Sequence, residues 1–136
     1  MAEQRRTSLR MRRLACVAAL FGVSAGAQAS APQCALSNGS PYCQYTGVVA
    51  GAYVNASNEV ILYFDTPVAP TSLSAVGISG VSIYTAAIYE GAANPDFVKE
   101  LYASLLWALA RGSTVSVQMS SVSQGYLQMD RVWVSP

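Results

Sequence analysis

The sequence predicts a small, exported, mainly β domain: a five-stranded antiparallel barrel with one α-helix, at about residues 95–110, between its third and fourth strands. Three observations carry this. The first 29 residues have the make-up of a removable leader. The remainder alternates apolar and polar residues in short segments separated by turn residues. A single stretch, residues 94–112, has the period and the caps of a helix.

In the leader, Arg5, Arg6, Arg10, Arg12 and Arg13 precede the apolar run Leu14 to Val23. The small-x-small pattern Ala27-Gln28-Ala29 follows, so cleavage is expected before Ser30. The run is about 10 residues, against the roughly 20 that a membrane span needs. It is therefore read as a signal peptide, and no membrane span is expected in the mature chain. Met11 begins a shorter leader of the same design, so the start is Met1 or Met11. The organisation expected is 1–29 signal peptide, 30–43 disulfide-looped N-terminal segment and 44–136 barrel domain, delivered to the periplasm or secreted.

Removing the leader changes the charge. Lys99, Arg111 and Arg131 remain against six acids, a net charge of −3 over residues 30–136. That leaves no basic footprint for nucleic acid. Cys16 goes with the leader, and Cys34 and Cys43 stay. In an oxidising compartment the pair is expected to form a disulfide around the turn-forming run Ser37-Asn-Gly-Ser-Pro41, worth about 2–3 kcal/mol. The spacing is not Cys-x-x-Cys and no other ligands accompany it, so no metal or other cofactor is expected.

Residues 30–43, rich in Ala, Pro, Ser and Gly, read as a lead-in loop. Thr46–Val54 reads as the first strand, with Val48, Ala50, Ala52 and Val54 on one face. Asn55-Ala-Ser-Asn58 is a turn, and Glu59–Asp65, β-branched and aromatic, is the hairpin partner. Val81–Tyr84 suits a short third strand, and Ala86–Gly91 either continues it or forms a loop. Asn94 is an N-cap, Pro95 fits the first helical position, and Gly112 stops the helix. Phe97, Leu101, Leu105 and Ala108 form its apolar stripe, widened by Val98, Tyr102 and Leu109. Trp107 lies off that stripe, beside Glu100, Ser104 and Arg111. It calls for a partner: a loop, another subunit or a ligand. Thr114–Ser120 alternates cleanly, with Val115, Val117 and Met119 facing in. In Tyr126–Val134 the inward set shifts from Leu127 and Met129 to Val132 and Val134, which predicts a bulge near Asp130-Arg131. Three strands, a helix and two strands suggest the OB-fold.

Three segments together resemble the B subunits of bacterial AB5 toxins, most closely the subtilase cytotoxin B subunit family. They are Tyr45-Thr-Gly-Val-Val49, the helix from Phe97 through Leu101-Tyr-Ala-Ser-Leu-Leu-Trp-Ala-Leu-Ala-Arg-Gly112, and Thr114-Val-Ser-Val117. The resemblance covers roughly residues 44–134. It implies an OB-fold assembled into a ring of five that binds glycans on host or other cell surfaces and carries an exported A-type subunit. It also implies a glycan contact at the hydroxyl residue before Gly-Val-Val, here Thr46. The family's acidic residue four positions earlier is replaced by Tyr42, and its aromatic after the helix falls at Gln118 or Met119. In such rings the helix faces the central pore, which would place Trp107 at a subunit contact.

The residues themselves support recognition rather than catalysis. Eight tyrosines offer flat apolar faces with hydroxyls, a chemistry suited to sugars. Tyr42, Tyr45 and Thr46 cluster beside the disulfide loop. The chain has no histidine, which removes the commonest general base and the Ser-His-Asp triad. The carboxylate pairs Glu59/Asp65 and Asp96/Glu100 are better explained by strand ends and by the helix N-terminus. A non-enzymatic binding module is expected; the alternative is a small periplasmic structural or interaction protein without a sugar site.

Overall fold

The computed structural model describes residues Ser30–Ser135. The expected signal peptide lies outside the described residues. The elements in chain order are β1 (Ser30–Ser37), β2 (Ser40–Val48), β3 (Gly51–Val54), β4 (Glu59–Tyr63), α1 (Pro70–Ala75), β5 (Ala86–Glu90), α2 (Pro95–Arg111), β6 (Thr114–Ser123) and β7 (Tyr126–Ser135).

The fold is mainly β, as expected, but the strand plan differs. Seven strands form one mixed sheet in the order β1-β2-β6-β7-β5-β4-β3. Neighbours are antiparallel except β5 and β7, which run parallel. The expected five-stranded antiparallel barrel is corrected on both counts, and the ladder is not closed. The sheet is nonetheless strongly curled. Val48 ends the second strand in the order and Gly51 begins the seventh, yet only Val49 and Ala50 separate them. Three peptide steps reach at most about 11 Å. In a flat sheet those two places would stand about 24 Å apart. Contacts across the gap agree: the Tyr45 and Phe64 rings lie 4.7 Å apart, although β2 and the end of β4 are distant in the ladder. The core fills the concave side, around Tyr45, Leu62, Leu105, Met119 and Leu127.

Residues 30–43 are not a loop. They form β1 and the start of β2, joined by the two-residue turn Asn38-Gly39. Both turn residues have positive φ, 51° and 80°, the geometry that Asn-Gly favours in a tight hairpin. Cys34 and Cys43 face each other across it and are disulfide-bonded. The first expected strand, Thr46–Val54, is broken at Val49-Ala50: before the break the inward set is Cys43, Tyr45, Gly47 and Val49, the opposite phase to that expected, whereas after it Ala52 and Val54 pack on the core as expected. A chain that must bend from one place in the sheet to another cannot keep one alternation throughout.

The third strand is Ala86–Glu90, not Val81–Tyr84. Residues 81–84 instead fold over the convex side, where Ile83 and Tyr126 cover Ile61, Ala86 and Ile88. Ser82 and Ile83 donate backbone hydrogen bonds to the Gly125 carbonyl at 2.9 and 3.0 Å. The short α1, which follows Pro67 and starts at Pro70, had no expectation attached. It packs near β1.

Helix α2 matches its prediction. The Asn94 side chain accepts a hydrogen bond from the Phe97 amide, and Gly112 ends the helix in the left-handed region. Val98, Leu101, Leu105 and Ala108 are its buried residues, while Phe97 is turned largely outward. The bulge also falls as expected: Gln118 pairs with Arg131 and Met119 with Met129, leaving Asp130 as the extra residue.

Candidate functional site

Because Cys43, Tyr45 and Gly47 point into the core, β2 must present Tyr42, Gln44 and Thr46 on its convex side. The register of the neighbouring strands then builds two cross-strand rows. In one, Gln33, Gln44, Gln118 and Arg131 stand side by side on β1, β2, β6 and β7. In the other, Ser30, Thr46, Ser116 and Trp133 do the same. The Thr46 and Ser116 hydroxyl oxygens are 3.0 Å apart and share a hydrogen bond. A shallow depression of about 270 Å³ lies over the β1–β2 half, lined by Tyr42, Gln44, Thr46 and the β1 residues Ser30, Gln33 and Ala35. Trp133, at the other end of its row, is 45% exposed.

Of the residues expected to meet a ligand, the structure brings Tyr42, Thr46 and Gln118 onto one surface. Tyr45 is elsewhere. Its ring is fully buried, and its hydroxyl contacts the Val48 carbonyl at 2.6 Å and the Asp65 carboxylate at 3.0 Å. Burial, reinforced by the Asp65 hydrogen bond and charge, holds its phenol well above the ordinary range. Tyr45 is therefore a core residue that ties β2 to the segment after β4, a correction to its expected place beside a ligand. Strand alternation explains it: Thr46 and Tyr45 cannot both face out.

Sequence reasoning passed over Gln33, Gln44, Arg131 and Trp133. The signal for the last two was the bulge itself. Met129 faces in, so an unbroken strand would turn Arg131 inward. The extra residue Asp130 restores Arg131 and Trp133 to the convex side. Sequence alone does not say which residues of β1 and β2 they would join.

Trp107 lies in a second place, a groove between α2 and the C-terminal half of β7. Two adjoining hollows, about 370 and 290 Å³, share Ser104 and Val134 as lining residues. Trp107 is 44% exposed, and the Arg111 guanidinium sits 4.8 Å from its ring centroid, a cation–π contact one helical turn on. Its own helix thus supplies one partner for the off-stripe indole. β5 pairs with β7 only at Leu127 and Gln128, so residues 129–135 have no strand partner on that side.

A third polar cluster joins three turns. Glu59 and Glu90 stand opposite each other on β4 and β5. Gln124 donates to both, at 2.6 and 3.3 Å, and Ser123 and Gln128 also donate to Glu90. Asn55 donates to Glu59 at 2.5 Å. Its polar groups satisfy one another. Among the described residues, no three His, Cys, Asp or Glu side chains gather as a metal site. No described helix is long and apolar enough to cross a membrane. Compared with known proteins, the chain matches no family model, no curated protein and no solved structure.

Proposed function

We propose that this protein is an exported, non-enzymatic binding module that presents the convex face of β1, β2, β6 and β7 to a glycan. The observation that carries this reading is the convergence of Tyr42, Thr46 and Gln118 on a continuous face of amides, hydroxyls and aromatic rings, with a depression over its β1–β2 half. Sugars are bound by such surfaces: stacking on an aromatic face, and bidentate hydrogen bonds from amides and hydroxyls.

The same proposal takes the domain as OB-like and related in plan to the toxin B subunits. If β2 and β3 are halves of one bent strand, the order β2-β6-β7-β5-β4-β3 returns to its starting strand. That cycle, with the helix before β6, is how a partly open five-stranded OB barrel is connected; β1 is then an added edge. Assembly into a ring of five, with an exported A-type subunit as partner, fits the α2 side. There, Trp107 and Phe97 are exposed in the groove beside the unpaired margin of β7. A second reading, an interaction protein without a sugar site, draws on that same groove.

The test is native mass spectrometry of the exported protein followed by a glycan array. Five subunits and glycan binding that is lost in Thr46→Ala are the outcomes expected. A monomer that binds no glycan would refute the reading and leave the interaction protein.

A further inference from the structure

The convex face extends beyond the depression at Thr46. Arg131 and Trp133 stand two strands away from Gln44 and Thr46 in the same two rows, about 10 Å across the sheet. Both owe their outward direction to the Asp130 bulge. Bulges are often found where a side chain is re-aimed for function. The surroundings of Arg131 are notable for what does not neutralise it. The one ion pair among the described residues is Lys99 with Asp96. The side chains opposite and beyond Arg131 in its row are the neutral amides Gln118, Gln44 and Gln33. Residues 30–136 carry a net charge of −3, yet Arg131 is exposed, makes no ion pair among the described residues although the exposed Asp130 precedes it in the bulge, and stands beside a row of neutral amides, two residues from an exposed indole.

Resting on the glycan reading above, we infer that Arg131 and Trp133 form a second subsite, and that the ligand is a linear acidic saccharide lying across the strands. One sugar ring stacks on Trp133, a carboxylate of the chain is held by Arg131, and the neutral remainder runs over Gln118, Ser116 and Thr46 toward the Tyr42 depression. The guanidinium fork matches a carboxylate in a bidentate manner, and the indole is the best aromatic surface for a sugar face. A single cation on a net-negative protein favours sparse carboxylates over a densely charged polymer, because every further anion would meet only repulsion. A span of about 10 Å exceeds one sugar ring, so the site selects a chain over a monosaccharide.

The experiment uses the exported, oxidised protein on an array of linear glycans in neutral, carboxylated and sulfated forms of matched backbone. The strongest carboxylated binder and its neutral counterpart are then titrated in free form. Arg131→Gln, Trp133→Ala and Trp133→Phe are compared with the parent, each checked for an unchanged melting temperature. The carboxylated form is expected to bind at least ~10-fold more tightly than its neutral counterpart, as a charge-assisted hydrogen bond would give. Arg131→Gln removes that preference, bringing the affinity for the carboxylated form down to about that for the neutral one. Trp133→Ala weakens both forms about tenfold or more, and Trp133→Phe restores most of the loss. Neutral glycans binding best, or Arg131→Gln and Trp133→Ala without effect while Thr46→Ala abolishes binding, would overturn the second subsite and keep the glycan reading. Equal binding of sulfated and carboxylated forms would overturn the carboxylate assignment. An array on which the parent binds nothing would remove both.

Discussion

Replacing Tyr45 by Phe separates a core role from a ligand role in one substitution. The ring, fully buried and packed on Phe64, stays in place, so no cavity forms. Only the hydroxyl is lost, and with it the contacts to the Val48 carbonyl at 2.6 Å and to Asp65 at 3.0 Å. Asp65 is exposed and recovers its hydration. The Val48 carbonyl lies at the bend where the chain leaves β2, and there it loses its side-chain donor. A part-buried acceptor left without a donor costs about 1–3 kcal/mol. For a domain near 100 residues each kcal/mol moves the melting temperature by about 4–8 °C, so the variant should melt roughly 4–24 °C lower. Calorimetry, or urea unfolding read from the midpoint at an unchanged slope, measures this directly. Glycan affinity, titrated well below the new melting temperature, should not change. A variant as stable as the parent, or one that folds fully but loses binding, would refute the assignment of Tyr45 to the core tie.

Two further outcomes follow from the same geometry. The Cys34–Cys43 bridge spans nine positions, and the chain-entropy relation for a loop of that size gives about 2.6 kcal/mol at 25 °C. Cys34→Ala with Cys43→Ala should lower stability by that amount or somewhat less, since the Asn38-Gly39 turn already biases the unfolded chain toward the hairpin; a loss below about 0.5 kcal/mol in urea unfolding would contradict it. Glu59 is held below its ordinary carboxyl value by hydrogen bonds donated first by Asn55 and then by Gln124. A depressed carboxyl contributes stability above its unfolded value, and that contribution is lost as pH falls through the folded one. The melting temperature should therefore fall on acidification below about pH 4.5, and Glu59→Gln should flatten that fall; parallel profiles for parent and variant would count against it.

Local chemistry was legible wherever it acts over a few residues. Asn94, Pro95 and Gly112 bracket α2 because each satisfies or ends hydrogen bonding within one turn of the chain. The Asp130 bulge was legible because it flips the alternation within β7, from Leu127 and Met129 to Val132 and Val134, whereas the second register shift, at Ser120 of β6, left no such mark in the sequence. What escaped was long-range. The parallel pairing of Ala87 with Leu127 joins residues 40 apart, and neither carries a sign of the other. The β1–β2 hairpin was hidden by composition: Pro32 and Pro41 suit a loop, yet both sit at an edge strand or a hairpin end, where a missing amide hydrogen costs little. The phase of β2 was misread because the strand was taken as one piece through the bend at Val49-Ala50. Resemblance pointed to Thr46 and Gln118 as ligand contacts, whereas Arg131 and Trp133 needed the register of four strands.

The added hairpin changes what the sheet can present. Without β1, β2 would be a bare edge, and the row Gln33, Gln44, Gln118 and Arg131 would lose its first member. With it, the edge moves one strand outward, and the disulfide fixes β1 to β2 in register at Cys34 and Cys43. The polar face gains width while the core side of the same strands is unaltered. The groove beside Trp107 opens elsewhere, between α2 and the inward residues Val132 and Val134, whereas Arg131 and Trp133 leave β7 on its other face. Alternation along a single strand thus sends successive side chains to two different surfaces. Substitutions at 131 and 133 are expected to alter ligand binding with subunit number unchanged, and substitutions at Trp107 the reverse. Two surfaces that share a strand but no side chain can be separated experimentally in this way, which makes the division between ligand face and partner face the most direct test of the proposed architecture.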